Sequence, residues 1–119
     1  DITAFHVEFD TFHNVDNPID DPTNKNHVGV MLDGDAGDHN LYAEFPTGTD
    51  IEDLAWHPVT IEVTGTNVRV TVDGTEVING EIPNLDFRGG YIGFSGTTGG
   101  KTNYHSFDDL EIIQQCLVE

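Results

Sequence analysis

Acidic, amide and imidazole side chains gather near the start of the chain in a pattern that suits metal binding. Glu8 and Asp10 alternate with apolar residues in a run typical of a strand, so both carboxylates lie on one side, roughly 6–7 Å apart. Oxygen ligands suit calcium, which takes about 6–8 of them, and an added imidazole suits a transition ion such as manganese. A solvated acidic loop explains the same composition. The candidate ligands are Glu8, Asp10, Asn14, Asp21 and His27.

The order of these residues resembles the metal-binding signature of the L-type (legume-type) lectins. It reads Glu-x-Asp-x-Phe-x-Asn, then Asp-Pro, then His-Val-Gly-Val, within residues 7–30. Asp20 is an alternative to Asp21, but the acid of the family directly precedes the proline, which selects Asp21. For a second divalent ion such as Mn2+ the resemblance implies the ligands Glu8, Asp10, Asp21 and His27. For Ca2+ it implies Asp10 and Asp21 as bridging ligands, the Asn14 side chain and the backbone carbonyl of Phe12.

A glycine-rich stretch late in the chain resembles the closing segment of the same family. Residues 90–100 read as a Gly-Phe-Ser strand and a Thr-Gly loop, and a further strand is expected over residues 105–113. In the family this loop lies over the sugar-binding end, and glycine lets a backbone approach a ligand closely. A flexible glycine hairpin is the alternative interpretation. The residues that the resemblance assigns to carbohydrate binding are Phe12, through ring stacking, together with Asn14, Gly99 and Gly100.

The elements that must position these residues are predicted to be strands, because no stretch shows a helical period. The clearest prediction is a meander of alternating apolar residues over 59–63 and 68–72, joined by a glycine turn. Asp-Gly at 73–74 forms a second tight turn into a strand over 76–78. Together with the family resemblance, these runs predict an all-β, concanavalin A-like antiparallel β-sandwich (jelly roll), in partial or shortened form.

Further strands are predicted on either side of an acidic turn. Residues 28–32 and 41–45 are rich in apolar side chains, and the acids between them at 33–38 are expected to form a solvated hairpin turn. That turn lacks the distal Glu of an EF-hand, so it is a poor calcium loop. Trp56 is expected to anchor the core, with His57 as an ordinary polar neighbour.

Length and charge limit the function classes. The 119 residues fit one domain over 1–119, and 22 acidic against 4 basic side chains give a net charge of −18. Nucleic acid is therefore not an expected partner, because there is no basic surface. No apolar run approaches the ~20 residues of a membrane span. Bound divalent ions would offset part of the charge, and a salty habitat is the other explanation.

Glycoside hydrolysis is the enzymatic alternative, because Glu8 and Asp10 also suit the paired carboxylates of a retaining enzyme, about 5–5.5 Å apart. The Glu-x-Asp-x-x-Glu pattern of related glucanases is absent, since His13 stands at the last position. The resemblance therefore implies an extracellular, calcium-dependent carbohydrate-binding module without catalysis. A structural or adhesive extracellular module in a larger assembly is the second hypothesis.

The resemblance covers only part of an L-type lectin, from the metal motif to the closing strand. The family takes an Asp and a Gly of its sugar pocket from an earlier part of the fold, which has no counterpart here. We therefore expect a second segment, supplied by another chain, by another copy or by residues outside this sequence. Cys116, the single cysteine, is a candidate link to it.

Overall fold

The computed structural model describes residues 3–15, 21–35, 37–46, 51–98, 100 and 102–114. The chain divides into two units, Asp1–Gly89 and Gly90–Glu119. The described residues contain six strands, all in the first unit, and no helix, which confirms the all-β prediction. The strands are β1 (Phe5–Asp10), β2 (His27–Leu32), β3 (Leu41–Glu44), β4 (Val59–Thr64), β5 (Asn67–Val72) and β6 (Thr75–Glu81).

The first three strands form an antiparallel sheet with β2 in the centre. Glu8 lies opposite Gly29, and Asp10 lies opposite His27. Residues directly opposite in an antiparallel pair share a face, and alternate residues of one strand do too. The register therefore places both acids of β1 on the same face as the imidazole of β2.

The last three strands form the predicted meander, again antiparallel and in chain order. The turn between β5 and β6 consists of Asp73 and Gly74, whose φ angles of 52° and 77° are both positive. That pair of angles matches a type I′ turn, whose twist suits a two-residue hairpin. The meander prediction is confirmed.

The two sheets of the first unit share one apolar core. The central strand of each sheet supplies fully buried valines, Val28 and Val30 from β2 and Val68 and Val70 from β5, each with an exposed fraction of 0%. Two antiparallel sheets around a shared core give a sandwich-like arrangement. A jelly-roll topology and a single domain over residues 1–119 stay predictions.

The prediction that Trp56 anchors the core is wrong, because the residue is 68% exposed. Trp56 precedes β4, an edge strand whose residues are mostly exposed. Most buried positions of this sheet belong instead to the central strand β5, whose valines fill the core together with Ile78 of β6. The acidic turn predicted over residues 33–38 is confirmed at its start, where Asp33 and Gly34 form an exposed turn, while residue 36 lies outside the described residues.

The second unit differs from its prediction. Its described residues 90–98, 100 and 102–114 contain no strand, so the Gly-Phe-Ser strand and the closing strand are not formed. A strand needs a partner for its backbone N–H and C=O groups, and this part of the unit has no such ladder. The rings of Phe94 and Phe107 stack instead, with centroids 4.1 Å apart.

Candidate metal centre

Four side chains of types that bind metal ions converge on the face of the first sheet that lies opposite the valine core. They come from β1, from the start of β2 and from the loops before β2 and before β3. One nitrogen or oxygen of each side chain lies within 4.8 Å of the corresponding atom of every other, so the group could hold a metal ion. Its members are Glu8, Asp21, His27 and His39.

The distances inside this group are close to those that a shared ion imposes. Nε2 of His39 lies 3.1 Å from Oε1 of Glu8 and 3.3 Å from Nε2 of His27. It lies 4.0 Å from Oδ1 of Asp21. Ligands about 2.1 Å from a tetrahedral or octahedral ion are roughly 3.0–3.4 Å apart. The pairs at 3.1 Å and 3.3 Å already have this spacing, whereas the other pairs, which lie within 4.8 Å, would have to move closer.

Burial leaves one side of the group open. The side chains of His27, His39 and Asp21 are only 1%, 4% and 1% exposed, whereas that of Glu8 is 30% exposed. Oδ1 of Asp21 is buried and has no hydrogen-bond partner among the residues that the structure describes. A buried carboxylate oxygen without a donor is costly unless a cation or another donor satisfies it. The site is thus shielded from solvent on the Asp21 side and exposed to solvent on the Glu8 side.

The tautomer of His27 is set by its backbone contact. Nδ1 lies 3.1 Å from the carbonyl oxygen of Lys25, which only accepts hydrogen bonds. Nδ1 therefore donates a hydrogen bond to the Lys25 carbonyl, which in a neutral ring leaves the lone pair on Nε2, the atom that belongs to the group. A carbonyl that fixes the ring in this way is the usual partner of a metal-binding histidine.

The loop before β2 is tied to Asp21 by a reciprocal pair of hydrogen bonds. The N–H of Asn14 donates to Oδ2 of Asp21 at 2.5 Å, and the N–H of Asp21 donates to the carbonyl of Asn14 at 3.0 Å. Earlier in the same loop, the N–H of Phe12 donates to Oδ1 of Asp10 at 2.7 Å. The ring of Phe12 remains exposed, at 57%. The carboxylate of Asp21 thus faces the candidate centre with Oδ1 and holds the loop with Oδ2.

A second set of contacts fastens the same loop to β3. The hydroxyl of Thr23 donates to Oε1 of Glu44 at 2.5 Å, and Nζ of Lys25 lies 3.3 Å from Oε2. The hydrogen bond from Thr23 and then that from Lys25 lower the pKa of Glu44 below its ordinary value. Glu44 lies opposite His27 in the register, so these contacts hold the loop beside the imidazole.

Burial raises the pKa of Glu8 above its ordinary value. The hydrogen bond with His39 opposes this effect, and the negative charge of Asp10 adds to it. A cation in the centre would favour the ionised carboxylate, because an opposite charge at short range stabilises the charged form.

The structure brings together three of the predicted ligands, Glu8, Asp21 and His27, and adds His39, which the sequence analysis missed. Asp10 is not part of the group, and its role as a ligand stays a prediction. The same holds for the calcium and sugar roles of Asn14 and Phe12.

Of the predicted glycines, Gly100 belongs to the second unit and has open space around it. Gly99 and Cys116 lie outside the described residues. The sugar contacts predicted for the two glycines, and the link predicted for Cys116, stay predictions.

No protein-family model matches the chain, and neither a curated protein nor a solved structure matches it. The likeness to L-type lectins therefore rests on the residues of the motif alone. Among the described residues there is no helix long and apolar enough to cross a membrane.

Proposed function

We propose that this chain is an extracellular, metal-dependent carbohydrate-binding module of the L-type lectin kind, which binds sugar without catalysis. The observation that supports it is the double role of Asp21. One of its oxygens faces the candidate metal centre, and the other accepts the hydrogen bond from the backbone of Asn14. Metal binding would in this way be coupled to the loop that carries the proposed sugar-binding residues.

The proposed sugar contacts follow from the chemistry of that loop. A bound ion supplies the positive charge that holds the Asp21 carboxylate in place. The side-chain amide of Asn14 then donates to a sugar hydroxyl, and the exposed ring of Phe12 stacks on the apolar face of a pyranose. Gly99 and Gly100 approach the same sugar in this proposal. A Ca2+ ion bound by Asp10, Asp21, the Asn14 side chain and the Phe12 carbonyl, beside a transition ion such as Mn2+, belongs to the proposal as well.

A glycan array tests this function directly. The chain is applied in buffer with Ca2+ and a transition ion, and again after treatment with a chelator. We expect binding that chelation abolishes, and Phe12→Ala should weaken it roughly two- to tenfold, the worth of one ring-stacking contact. Val15→Ala is the matched control, since Val15 is an equally exposed apolar residue of the same loop at 64%. An array without any bound glycan, or binding that a chelator leaves unchanged, would refute the proposal.

The second candidate function is a structural or adhesive module that works beside another segment. Apolar side chains at the edge strand β4 favour it, because Val59 and Ile61 are 43% and 44% exposed and Trp56 is 68% exposed. Natural sheets rarely leave such an edge uncovered. Light scattering coupled to size-exclusion chromatography, with and without reductant because of Cys116, distinguishes the hypotheses. A monomer that binds glycan with ordinary affinity would exclude the need for a second segment.

A further inference from the structure

We infer, on the basis of the metal binding in the proposed function, that the centre is a two-imidazole, two-carboxylate site selective for Zn2+ or a transition ion of similar character, and that His39 is a ligand. The lectin motif implies a single histidine among acids, a set that suits Mn2+ and Ca2+. The structure places a second imidazole in the group and leaves Asp10 outside it.

The two imidazoles approach each other through the same kind of atom. Nε2 of His27 and Nε2 of His39 are 3.3 Å apart, and the ring centroids are 5.2 Å apart. Because Nδ1 of His27 is occupied by the Lys25 carbonyl, the lone pair of Nε2 of His27 faces Nε2 of His39. A cation between the rings would satisfy both nitrogens at once, with His39 releasing any proton on Nε2 to solvent.

The types of donor select the ion. Imidazole nitrogen suits zinc, copper and nickel, whereas carboxylate, carbonyl and water oxygens suit magnesium, calcium and manganese. Calcium requires about 6–8 oxygens, but this group offers only Glu8 and Asp21 as oxygen ligands. Affinities of such sites also rise from manganese to zinc in the general order of divalent ions. Zn2+ is therefore preferred to Mn2+ and Ca2+ on both grounds.

An independent observation points to a cation at this place. The Asp21 side chain is 1% exposed, and within the described part of the chain its Oδ1 has no hydrogen-bond donor. Proteins seldom bury a polar atom in this state. Nε2 of His39 lies 4.0 Å from this oxygen, so an ion bound between the two atoms would supply the partner.

Gly29 makes room for the second imidazole. A Cβ atom at this position would lie 2.7 Å from Cδ2 of His39 and 3.2 Å from Sδ of Met31. Any side chain at position 29 would displace the ring. Glycine normally weakens the interior of a strand, so its presence here fits a place where another group comes close to the backbone. The absence of a side chain at Gly29 therefore leaves the space that the His39 ring occupies.

Metal titration of the stripped protein tests the inference. The purified chain is freed of metal with a chelator, and Zn2+, Mn2+ and Ca2+ are titrated separately in competition with a chromogenic chelator. We expect one high-affinity Zn2+ per chain, bound at least about tenfold more tightly than Mn2+. Equal or tighter binding of Mn2+ would overturn the selectivity for zinc.

Three variants identify the role of His39. His39→Gln should weaken Zn2+ binding at least about 10–100-fold, which is the loss that even an outer-shell partner causes. Gly29→Ala keeps every proposed ligand and should also weaken Zn2+ binding, because it displaces the ring. His6→Gln is the matched control on β1 and should bind Zn2+ like the parent. Circular dichroism verifies that each variant is folded, and a folded His39→Gln chain with the parent's Zn2+ affinity would overturn the inference.

The parent protein provides a test that needs no variant. Titration with Zn2+ should shift the ring signals of two histidines, His27 and His39, in the NMR spectrum. Shifts at His27 alone would overturn the inference. A chain that binds Zn2+ through both rings but binds no glycan would support it while refuting the proposed function, whereas a chain that binds no divalent ion would overturn both.

Discussion

Replacing Asp21 with Asn should change the stability of the protein in opposite directions with and without metal. Without metal, the buried Oδ1 of Asp21 in the parent has no hydrogen-bond partner from the described residues. Asn keeps one oxygen for the N–H of Asn14 and removes a buried negative charge. Leaving a buried acceptor unsatisfied costs about 1–3 kcal/mol. The metal-free variant should therefore be as stable as the parent, or more stable by up to roughly that amount.

With metal bound, the parent should be more stable than Asp21→Asn. An ion that binds only the folded state at a hundredfold excess over its dissociation constant stabilises the protein by ~2.7 kcal/mol. In a small domain 1 kcal/mol corresponds to about 4–8 °C in melting temperature. The parent should therefore gain roughly 10–20 °C when Zn2+ replaces the chelator. Asp21→Asn lacks an ionised ligand, so its gain should be much smaller.

Thermal unfolding followed by circular dichroism measures both effects, with EDTA in one series and Zn2+ in the other. Asp33→Asn is the matched control, because Asp33 is exposed in the turn after β2 and its positive φ of 51° is one that Asn also tolerates. The control should follow the parent in both series. The reasoning is refuted if Asp21→Asn is clearly less stable than the parent in EDTA and gains as much stability from Zn2+.

Two further predictions concern the rest of the first unit. Both ring nitrogens of His57 lie 2.8 Å from a carboxylate oxygen, one of Asp73 and one of Asp53, and these hydrogen bonds raise its pKa. The stabilisation by protonated His57 is complete below its unfolded pKa of 6.5 and is lost as the pH rises through the higher folded pKa. In urea titrations from pH 6 upward, the free energy of unfolding of the parent should therefore decline with pH in a way that His57→Gln lacks. An equal dependence on pH in both proteins would contradict this. Gly80→Ala would place a Cβ 2.8 Å from Cδ2 of Leu41. It should reduce the free energy of unfolding by about 1–3 kcal/mol, and an unchanged urea midpoint would contradict it.

The strands that could be predicted from the sequence are those whose pattern is local. Residues 59–63 and 68–72 alternate between apolar and polar types, and Gly65 between them has a positive φ of 61°. Neighbouring strands of a meander pair with each other, so the pattern and the turn together specify the partner. The prediction of the two closing strands was wrong because their sequence is β-prone but specifies no partner strand. The described residues after Gly90 contain no strand. The prediction that Trp56 is buried was wrong for a related reason, since hydrophobicity does not reveal that the following strand, β4, is an edge strand.

The candidate site was predictable only as far as the motif reaches. Glu8, Asp21 and His27 lie in one contiguous signature, whereas His39 follows an acidic turn and belongs to no recognised spacing. One signal could have found it. Gly29 is an isolated glycine inside a β-branched strand, which often marks the close approach of another group. Its register position opposite Glu8 would then have suggested that the approaching group belongs to the centre.

The same strands carry the ligands and the core, which determines how metal binding acts on stability. In β1, Val7 packs against the valine cluster, and the next residue, Glu8, faces the centre. In β2, His27 belongs to the centre and Val28 to the core. Alternation along a strand makes this division unavoidable, since neighbouring side chains point to opposite faces. Separating β1 from β2 therefore destroys the core and the ligand group together, so the free energy of ion binding counts in full against unfolding of the first sheet.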